Sequence, residues 1–324
     1  MSAVDVALLR ALRAAPAHCE LDVLATEAGV PVAQVRQRID ELRAAGFSVE
    51  EQPGRGFRLL AAPDRLIADD LLARLGRSAL IRDILIFEET DSTNERAAHL
   101  GRAGVEPGVA VFAERQTAGR GRFARRWESA SHLGLWFSLL LRPVVPPAQW
   151  PRLTTWAAVS VAAAVGGIPG VRATIKWPND IFVDGLKVAG ILTETGTDCS
   201  QQPFAVVGIG VNVNHLESDF PPELHGKATS LRGAGPALDR AAVAVSILQA
   251  LETRYARVAG DFAELVDEAT RRSFLLDRWI QVRTGSTVVS GVAEGLDGEG
   301  CLLLRELCGT LRQLSGGEVS VLAM

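Results

Sequence analysis

The chain has 324 residues, 48% of them hydrophobic and 22% charged, so a globular protein of two or three domains is expected. Its formal net charge of −4 excludes an overall electrostatic attraction to nucleic acid or to anionic membranes. The four cysteines form no Cys-x-x-Cys pair and the first residues carry no signal-peptide pattern, so free thiols in a reducing cytoplasm are expected and a zinc site is not.

The first predicted domain, residues 1–63, combines helical patterns with a hairpin. Apolar spacing predicts three helices, over 4–14, 20–28 and 32–45. The second helix should end at Gly29, because glycine adopts the left-handed conformation of a C-terminal turn. Alternating segments then flank Pro53-Gly54-Arg55, a turn sequence typical of a hairpin. Three helices followed by a hairpin indicate a winged helix-turn-helix.

The third of these helices carries the side chains expected of a DNA-reading helix. Arg55 would lie at the tip of the wing, and the helix offers groups that read base edges or bind phosphates, namely Gln34, Arg36, Gln37, Arg38 and Arg43. The alternative is a dimerisation module or a relic, because residues 1–62 hold seven arginines against eight acidic residues. We favour DNA binding because the wing and the polar third helix occur together.

The second predicted domain, residues 64–273, mixes strands with helices. It begins with a linker helix over 65–75. Strands are predicted at 83–88, 109–114, 135–141, 173–177, 181–183, 186–194 and 204–212. Further helices are predicted at 92–100, 151–165 and 240–260. Antiparallel hairpins with segregated helices indicate an α+β fold class. The apolar stretch 156–171 is too short to span a bilayer and predicts a buried helix, so no membrane partner is expected.

The third predicted domain, residues 274–324, alternates apolar and polar residues between glycines. Short strands are predicted at 280–282, 287–293, 301–304 and 319–322. This pattern indicates a small β-barrel of about fifty residues, a size that normally depends on a neighbouring domain for stability.

Lysine is rare in this chain and is concentrated near one motif. It occurs only at positions 176, 187 and 227, whereas arginine supplies the other basic residues. A position that keeps lysine in this background needs a compact ammonium rather than a planar guanidinium. The segment 175–192 predicts a strand, a Pro-Asn-Asp turn and a second hairpin strand, which would bring together Lys176, Asn179, Asp180 and Lys187.

A second motif is the arginine loop, residues 119–127, which follows a predicted strand. Glycine lets backbone amides approach an anion closely, and arginine offers forked donors for phosphate. The loop alone fits nucleic acid and a small phosphate ligand equally well, and a solvated basic loop is the alternative.

Three further motifs have structural interpretations of their own. Ser92-Thr93-Asn94 taken alone favours a helix N-cap by Ser92 or Thr93, with Glu95 in the first turn. Gly208-Ile209-Gly210-Val211-Asn212 lacks the third glycine of a dinucleotide fingerprint, so it indicates a strand end where the backbone approaches a ligand. Lys227-Ala228-Thr229 is a polar turn of low specificity.

Taken in order, these motifs resemble the biotin protein ligases. The resemblance rests on Ser92-Thr93-Asn94, Gln116 to Arg122 with Trp127, Lys176 to Asp180, Lys187 to Gly190, Gly208 to Asn212, and Gly316-Gly317-Glu318. The leading winged helix is similar to that of the bifunctional bacterial form, which is also the biotin operon repressor. The resemblance covers essentially the whole chain.

The resemblance implies a fold, a reaction and a set of site residues. The fold would join the winged helix to a mixed α/β, class II synthetase-like ligase domain and an SH3-like barrel. Biotin and ATP would give biotinyl-5′-adenylate, and biotin would then pass to a lysine of a biotin carboxyl carrier protein domain. The biotin-binding residues would be Ser92, Thr93, Asn94, Gln116, Gly119, Arg120, Gly121, Arg122, Trp127, Lys187 and Gly190. The ATP- or adenylate-binding residues would be Lys176, Asn179, Asp180 and Asn212.

The resemblance also implies roles in catalysis and assembly. Lys187 would lower the repulsion between carboxylate and α-phosphate, with Arg120 and Arg122 sharing that task. Asp180 would help to place Mg²⁺. The adenylate would promote a homodimer that binds operator DNA.

The chain departs from the family pattern at two positions, and three other functions stay open. Ala124 stands where glycine is usual, and Glu128 where a larger apolar group is common. The other functions are a ligand-sensing DNA-binding regulator without ligase activity, a ligase with an inert winged helix, and a lipoate ligase. Lys187, Arg120 and Arg122 argue against the pure sensor, because sensing free biotin needs no phosphate chemistry.

Overall fold

The computed structural model describes residues 3–15, 17–233 and 235–322. The start of the chain, where no signal peptide is expected, includes Met1 and Ser2, which lie outside these ranges. Within the described ranges, no helix combines the length and the hydropathy that crossing a membrane requires.

The N-terminal part contains the predicted helices and hairpin. Its elements are α1 (Ala3–Ala14), α2 (Leu21–Ala28), α3 (Val32–Ala44), β1 (Ser48–Gln52) and β2 (Gly56–Ala61). Gly29 ends α2 at φ 65°, and its N–H donates to the carbonyls of Ala25 and Thr26, as predicted. The antiparallel pair β1–β2 packs on the helices over a core that includes Leu8, Leu9, Leu24, Ile39 and Phe57.

Helix α4 (Ala68–Leu75) connects this part to the next one, and it begins three residues later than the predicted linker helix. Ala73 belongs to the N-terminal core, whereas Leu71 and Leu75 belong to the main core. The buried carboxylate of Asp70 accepts hydrogen bonds from Arg13 of α1 and from Arg74. The helix is therefore packed against both parts at once.

The central part is built on a mixed sheet. Its strands are β3 (Asp83–Thr90), β4 (Val109–Gln116), β5 (Gly134–Leu141), β6 (Ala173–Lys176), β7 (Asp180–Val183), β8 (Leu186–Thr197) and β9 (Pro203–Asn212), in the order β3-β4-β5-β9-β8-β7-β6. The pair β3–β4 is parallel and every other pair is antiparallel. The predicted strands are confirmed, with ends that shift by up to three residues.

Helices cover the two faces of this sheet unequally. They are α5 (Thr93–Arg102), α6 (Arg152–Gly166), α7 (Arg240–Tyr255) and α8 (Phe262–Arg271). Helix α6 is almost entirely buried and packs with α7 and α8 over one face, as expected for the apolar stretch. Helix α8 was not predicted from the sequence, and the predicted helix over 240–260 runs about five residues beyond the end of α7 at Tyr255.

The alternation of side chains along the strands shows which face is left open. Val206 of β9 packs with α5 on one face, whereas Val207 packs into the main core on the other. Because side chains alternate along a strand, Gly208, Gly210 and Asn212 lie on the same face as α5. Helix α5 covers only part of that face, so the glycine-rich end of β9 forms the floor of an open region.

The C-terminal part is a separate antiparallel sheet. Its strands are β10 (Trp279–Thr284), β11 (Thr287–Leu296), β12 (Leu302–Arg305), β13 (Leu311–Leu314) and β14 (Glu318–Val321), in the order β13-β12-β11-β10-β14. Four of these strands were predicted from the sequence, and β13 was not. Trp177, from the turn between β6 and β7, inserts into this sheet's core and donates a hydrogen bond to the Gly300 carbonyl over 2.9 Å. The two parts therefore share an aromatic anchor beside the Lys176–Asp180 turn.

Candidate active site

One cavity collects most of the residues singled out in the sequence. It has a volume of about 940 Å³ and lies over the glycine-rich end of β9, between the arginine loop, the turn after β6 and the Gly317–Glu318 edge of the C-terminal sheet. Lys176, Lys187 and Lys227, which are all the lysines of the chain, line it. A volume at the upper end of the usual range for ligand sites suits a molecule larger than a single vitamin.

A network of hydroxyl and amide groups forms one end of the cavity. Gln116 accepts hydrogen bonds from the backbone N–H (2.8 Å) and hydroxyl (3.1 Å) of Thr93, and donates to the Ser129 hydroxyl (2.9 Å). The buried hydroxyl of Ser138 lies 2.8 Å from that of Thr93. Ser92 occupies the predicted N-cap position of α5 and Glu95 lies in its first turn, but the Ser92 side chain makes no capping hydrogen bond. Ser92 is part of the cavity wall.

Asn94 connects this network to the next strand. Its amide nitrogen donates to the Glu194 carboxylate over 2.7 Å, and its carbonyl oxygen accepts a hydrogen bond from Ser138 over 2.6 Å. A Cβ atom on Gly208 would lie 2.0 Å from that carbonyl oxygen, which explains why glycine stands there. The Glu194 carboxylate also accepts a hydrogen bond from Arg120, over 2.9 Å. The Arg120 guanidinium is thus held by a carboxylate, and Glu95 lies 3.4 Å from it.

The arginine loop is ordered by its own backbone and by both neighbouring parts. Backbone N–H groups of Gly121 and Trp127 donate to the carbonyls of Arg125 and Gly119, respectively. The Arg122 guanidinium donates to Asn179 over 2.9 Å, and burial lowers its pKa. Arg125 is ion-paired with Glu318 of the C-terminal sheet. The exposed Glu128 lies 3.0 Å from Arg126, so this departure from the family pattern replaces an apolar group by a surface ion pair.

Trp127 closes the loop over the sheet. A Cβ atom on Gly210 would lie 2.6–2.8 Å from three atoms of its indole, and one on Gly190 would lie 2.9 Å from a fourth. The indole therefore lies against bare backbone of β8 and β9. Its buried Nε1 has no hydrogen-bond partner among the described residues. Aromatic packing on two glycines makes Trp127 a wall of the cavity.

Positive charge gathers around Asp180. The Lys187 ammonium lies 2.6 Å from the Asp180 carboxylate and 5.2 Å from the centre of the Trp127 ring. Burial lowers the pKa of Lys176; Asp180 opposes this effect and the Lys187 ammonium adds to it. Lys176, Lys187 and Arg122 all interact with Asp180, and Glu318 also acts on Lys176. Three cations therefore face two carboxylates, so an added anion would be attracted to this place.

His215 and Phe220 belong to the wall but were not singled out in the sequence. Asn212 was singled out in the sequence. It is buried and donates a hydrogen bond to the Thr229 carbonyl over 3.1 Å. Beside it, Lys227 accepts a backbone hydrogen bond from Lys187 (2.9 Å), and His215 stacks on Phe220 with ring centres 4.9 Å apart. Burial lowers the pKa of His215 to about 4. The rarity of lysine and a polar turn of low specificity had marked Lys227, whereas no local signal marks His215 or Phe220.

The donor atoms for a metal ion are few. Among the described residues, no group of three or more His, Cys, Asp or Glu side chains could hold a metal. Asp180 offers one carboxylate that is already bound by Lys187. This donor set fits Mg²⁺ only in the way that the ion usually accompanies a nucleotide, with phosphates and water supplying most of its ligands.

Comparison with known proteins agrees with this site. Residues 86–214 match the biotin/lipoate A/B protein ligase family, and residues 275–322 match the biotin protein ligase C-terminal domain. The chain is 37% identical to the bifunctional ligase/repressor BirA of Bacillus spizizenii, over 83% of this chain and 84% of that one. It is 32% identical to the biotin–[acetyl-CoA-carboxylase] ligase of Mycobacterium tuberculosis, over 79% of this chain and 94% of that one.

A solved structure points the same way. The biotin protein ligase from Aquifex aeolicus in complex with biotin and ATP superposes with a TM-score of 0.64 at 30% identity, covering 75% of this chain and all of that one. The C-terminal match is to a domain described as that of biotin protein ligases, which favours a biotin ligase over a lipoate ligase. On its sequence, its fold and the residues around its cavity, the chain belongs to the biotin protein ligases.

Proposed function

We propose that this protein activates biotin with ATP and transfers it to a lysine of a biotin carboxyl carrier protein domain. The observation that carries the proposal is the placement of the Lys187 ammonium, 2.6 Å from Asp180, in the same cavity as the Thr93–Gln116 network. A neutral bicyclic head and an anionic tail would need these two environments side by side.

The polar network would hold the ureido head of biotin. The ring is mostly apolar, so its orientation depends on a few hydrogen bonds, each of which contributes about 0.5–1.5 kcal/mol net. Thr93, Gln116 and Ser129 already hold one another, and the Ser92 hydroxyl is not used as a cap. Backbone amides of 119–122 other than that of Gly121, which already donates to Arg125, would add further donors, and Trp127 with Gly190 would wall the tail. Asn94 would support this network indirectly, because its side chain is hydrogen-bonded to Ser138 and Glu194.

The cluster around Asp180 would bind the triphosphate and promote adenylation. A carboxylate oxygen of biotin attacks the α-phosphorus, the bond to pyrophosphate breaks, and biotinyl-5′-adenylate forms. Lys187 and Arg122 would stabilise the charge on the non-bridging oxygens, and Lys176 with Asn179 would hold the leaving phosphates. Arg120, held by Glu194, would contribute mainly by ordering the loop. Asn212 would face the adenine.

Mg²⁺ would enter with the nucleotide. It would neutralise charge on the phosphates, and Asp180 would offer it one carboxylate oxygen. The loop residues would exclude water from the mixed anhydride until the carrier lysine attacks its carbonyl carbon and AMP leaves. Two contacts of the loop support this role. Arg122 donates a hydrogen bond to Asn179, and Arg125 forms an ion pair with Glu318.

Adenylate formation tests the proposal directly. The protein is incubated with ATP, Mg²⁺ and labelled biotin, and the products are analysed by mass and by pyrophosphate release. Lys187→Ala should lower adenylate formation by about 100-fold or more, because it removes charge stabilisation, while biotin still binds measurably. Arg305→Ala is the control, since its partner Glu294 lies on the C-terminal sheet. Binding of biotin by the unmodified protein without any adenylate would instead indicate the pure sensor.

We also propose that the N-terminal part is a winged helix-turn-helix that binds operator DNA. The relatives named bifunctional ligase/repressor support this, as does the order of three helices and a hairpin. Arg55 is exposed at the hairpin tip, where the wing would meet DNA. On the third helix, Arg36 is paired with Glu51 and Arg38 with Glu41, so these arginines would exchange partners on binding. Gln34 and Gln37 would read bases.

The remaining assignments of architecture are proposals of the same kind. The domain bounds are 1–63, 64–273 and 274–324, with a class II synthetase-like centre and an SH3-like barrel at the end. The adenylate-bound protein would form a homodimer. A cytoplasmic location is supported by four cysteines that form no disulfide.

A further inference from the structure

Arg240, the first residue of α7, has a buried side chain that is hydrogen-bonded through all of its nitrogen atoms. It is 1% exposed, and each of its nitrogen atoms donates to an acceptor. Its two terminal nitrogens bind both oxygens of Glu114, at 2.6 and 3.2 Å, and Glu114 is also 1% exposed. The same nitrogens bind the carbonyls of Gly134 (3.2 Å) and Asp64 (2.5 Å), and Nε binds the Asp64 carboxylate (3.3 Å). A guanidinium has five N–H groups, so none is left over.

The position of this side chain matters more than its burial. Strands β4 and β5 are hydrogen-bonded from Val109 to Ala113, where Ala113 pairs with Trp136, and their ladder ends there. Glu114 and Gly134 lie just beyond that end. Between them the chain forms the 117–133 segment, which contains the arginine loop and Trp127. Arg240 therefore bridges the two roots of this segment where backbone pairing between them has stopped.

Two further contacts belong to the same junction. The Leu66 N–H donates to Glu114 over 2.8 Å, which fixes the connection leading to α4. His132, near the end of the segment, places Nδ1 3.3 Å from the Glu114 carboxylate. Neither Glu114 nor Arg240 is among the residues that line the cavity. Any effect of Arg240 on the reaction must therefore act through other residues.

We propose that Arg240 is a positioning residue for the ligase reaction, which clamps the roots of the 117–133 segment through Glu114 and the Gly134 carbonyl. The proposal rests on the ligase function proposed above. With the roots fixed, the loop closes on biotin at a smaller cost in conformational freedom, since binding geometry is set before the ligand arrives. Gln116, two residues after Glu114, is held at the same root. Loss of the clamp would thus weaken biotin binding more than it slows chemistry.

The test compares two arginines of the same helix. Arg240→Met should raise KM for biotin by about 10-fold, with kcat within about 3-fold and KM for ATP unchanged. It should also speed tryptic cleavage after Arg125 and Arg126, which are exposed on the loop. Arg254→Met is the matched control, because Arg254 also binds a carboxylate through two nitrogens, at 3.1 and 3.2 Å from Glu268, far along α7. It should leave both readouts at wild-type values.

A conservative variant keeps the proposal testable if Arg240→Met does not fold. Arg240→Lys retains the charge but offers three donors from one atom, so it should give an intermediate KM for biotin. A folded variant at position 240 with wild-type KM for biotin overturns the proposal. So does an equal rise in KM for Arg254→Met, which would mark a general effect of lost stability. Tryptic cleavage does not depend on enzyme activity. Its rate therefore tests whether Arg240 holds the 117–133 segment even if the unmodified protein makes no adenylate and the proposed function fails.

Discussion

At the scale of single residues, two residues of the arginine loop that are not glycine adopt the left-handed backbone conformation. Phe123 and Ala124 have φ values of 58° and 56°. An L-residue pays about 1–2 kcal/mol for this conformation, because its Cβ approaches the carbonyl oxygen. The sequence analysis noted that family members usually carry glycine at position 124, and the backbone angle supplies the reason.

Replacing Ala124 by glycine should therefore stabilise the protein slightly. The relief of backbone strain exceeds the added entropy of the unfolded chain, so unfolding in urea should cost about 0.5–1 kcal/mol more. Ala118→Gly is the control, because Ala118 lies in the same segment without a positive φ and should lose about 0.4–1 kcal/mol. Equal shifts in both variants would mean that the strain at position 124 is not relieved.

His215 makes a second residue-scale prediction, about pH. Burial lowers its pKa from 6.5 to about 4, so the folded protein keeps it neutral where the unfolded chain protonates it. This contribution to stability is present above pH 6.5 and is lost as the pH falls towards 4. Between pH 7 and 5 the loss through this residue should be about 2 kcal/mol. His215→Phe keeps an aromatic ring, and urea titrations at both pH values should show a loss smaller by that amount. An unchanged difference would refute the assignment.

At the scale of elements, the end of β9 is shaped to receive side chains from elsewhere. Glycines at 208 and 210 admit Asn94 and Trp127, respectively, and each would clash with an added Cβ. The motif that resembles a nucleotide fingerprint thus works by close approach of protein side chains. It is a strand with two gaps on the face that α5 covers only in part.

The Gly210 gap can be filled by one methyl group. In Gly210→Ala the new Cβ would lie 2.6–2.8 Å from the Trp127 indole, which must move off the sheet. Because the indole walls the cavity, KM for biotin should rise by about 10-fold in steady-state assays, which is roughly 1.4 kcal/mol of binding free energy. Gly295→Ala is the control, since nothing lies within 4 Å of that position in β11. A normal KM for Gly210→Ala would show that the indole does not contact the ligand.

The elements themselves were predictable to different degrees. Local periodicity identified the strands of the central sheet, and the turn chemistry of Gly29 set the end of α2. The pattern of α8 was also present, with buried residues at Phe262, Leu265, Val266 and Ala269, and was overlooked. Strand β13 has no buried residue and so carries no alternation.

The site shows where sequence reasoning ends. Motif residues such as Gln116, Arg122 and Lys187 were identifiable because their residue types suggest chemistry. Ser138 and Glu194 were not, because their partners are distant in the sequence and nothing in their neighbourhood indicates contact. Arg240 was identified only as the first residue of a predicted helix, and only the fold reveals that it is buried.

At the scale of the whole molecule, ion pairs join the parts of the chain. Arg13 of α1 binds Asp70 of α4, Asp70 binds Arg74, and Arg74 binds Asp239 over 2.7 Å. Asp239 caps α7 by accepting from the Ala242 N–H, and Arg240 follows it. The N-terminal part is thus attached to the helix that holds the loop roots.

The final prediction concerns assembly. The adenylate should convert a monomer into a dimer, because two helix-turn-helix units read paired half-sites only when symmetry sets their spacing. Sedimentation should show a monomer without ligand and a dimer with biotin, ATP and Mg²⁺. Selection from a randomised duplex pool should then enrich two half-sites related by a twofold axis.

Arg55→Ala, at the wing tip, should weaken DNA binding and reduce the dependence of log K on log salt by about one, while leaving the dimer intact. A protein that stays monomeric at every ligand and DNA concentration would contradict the prediction, and a pool without enrichment would leave the ligase with an inert N-terminal part.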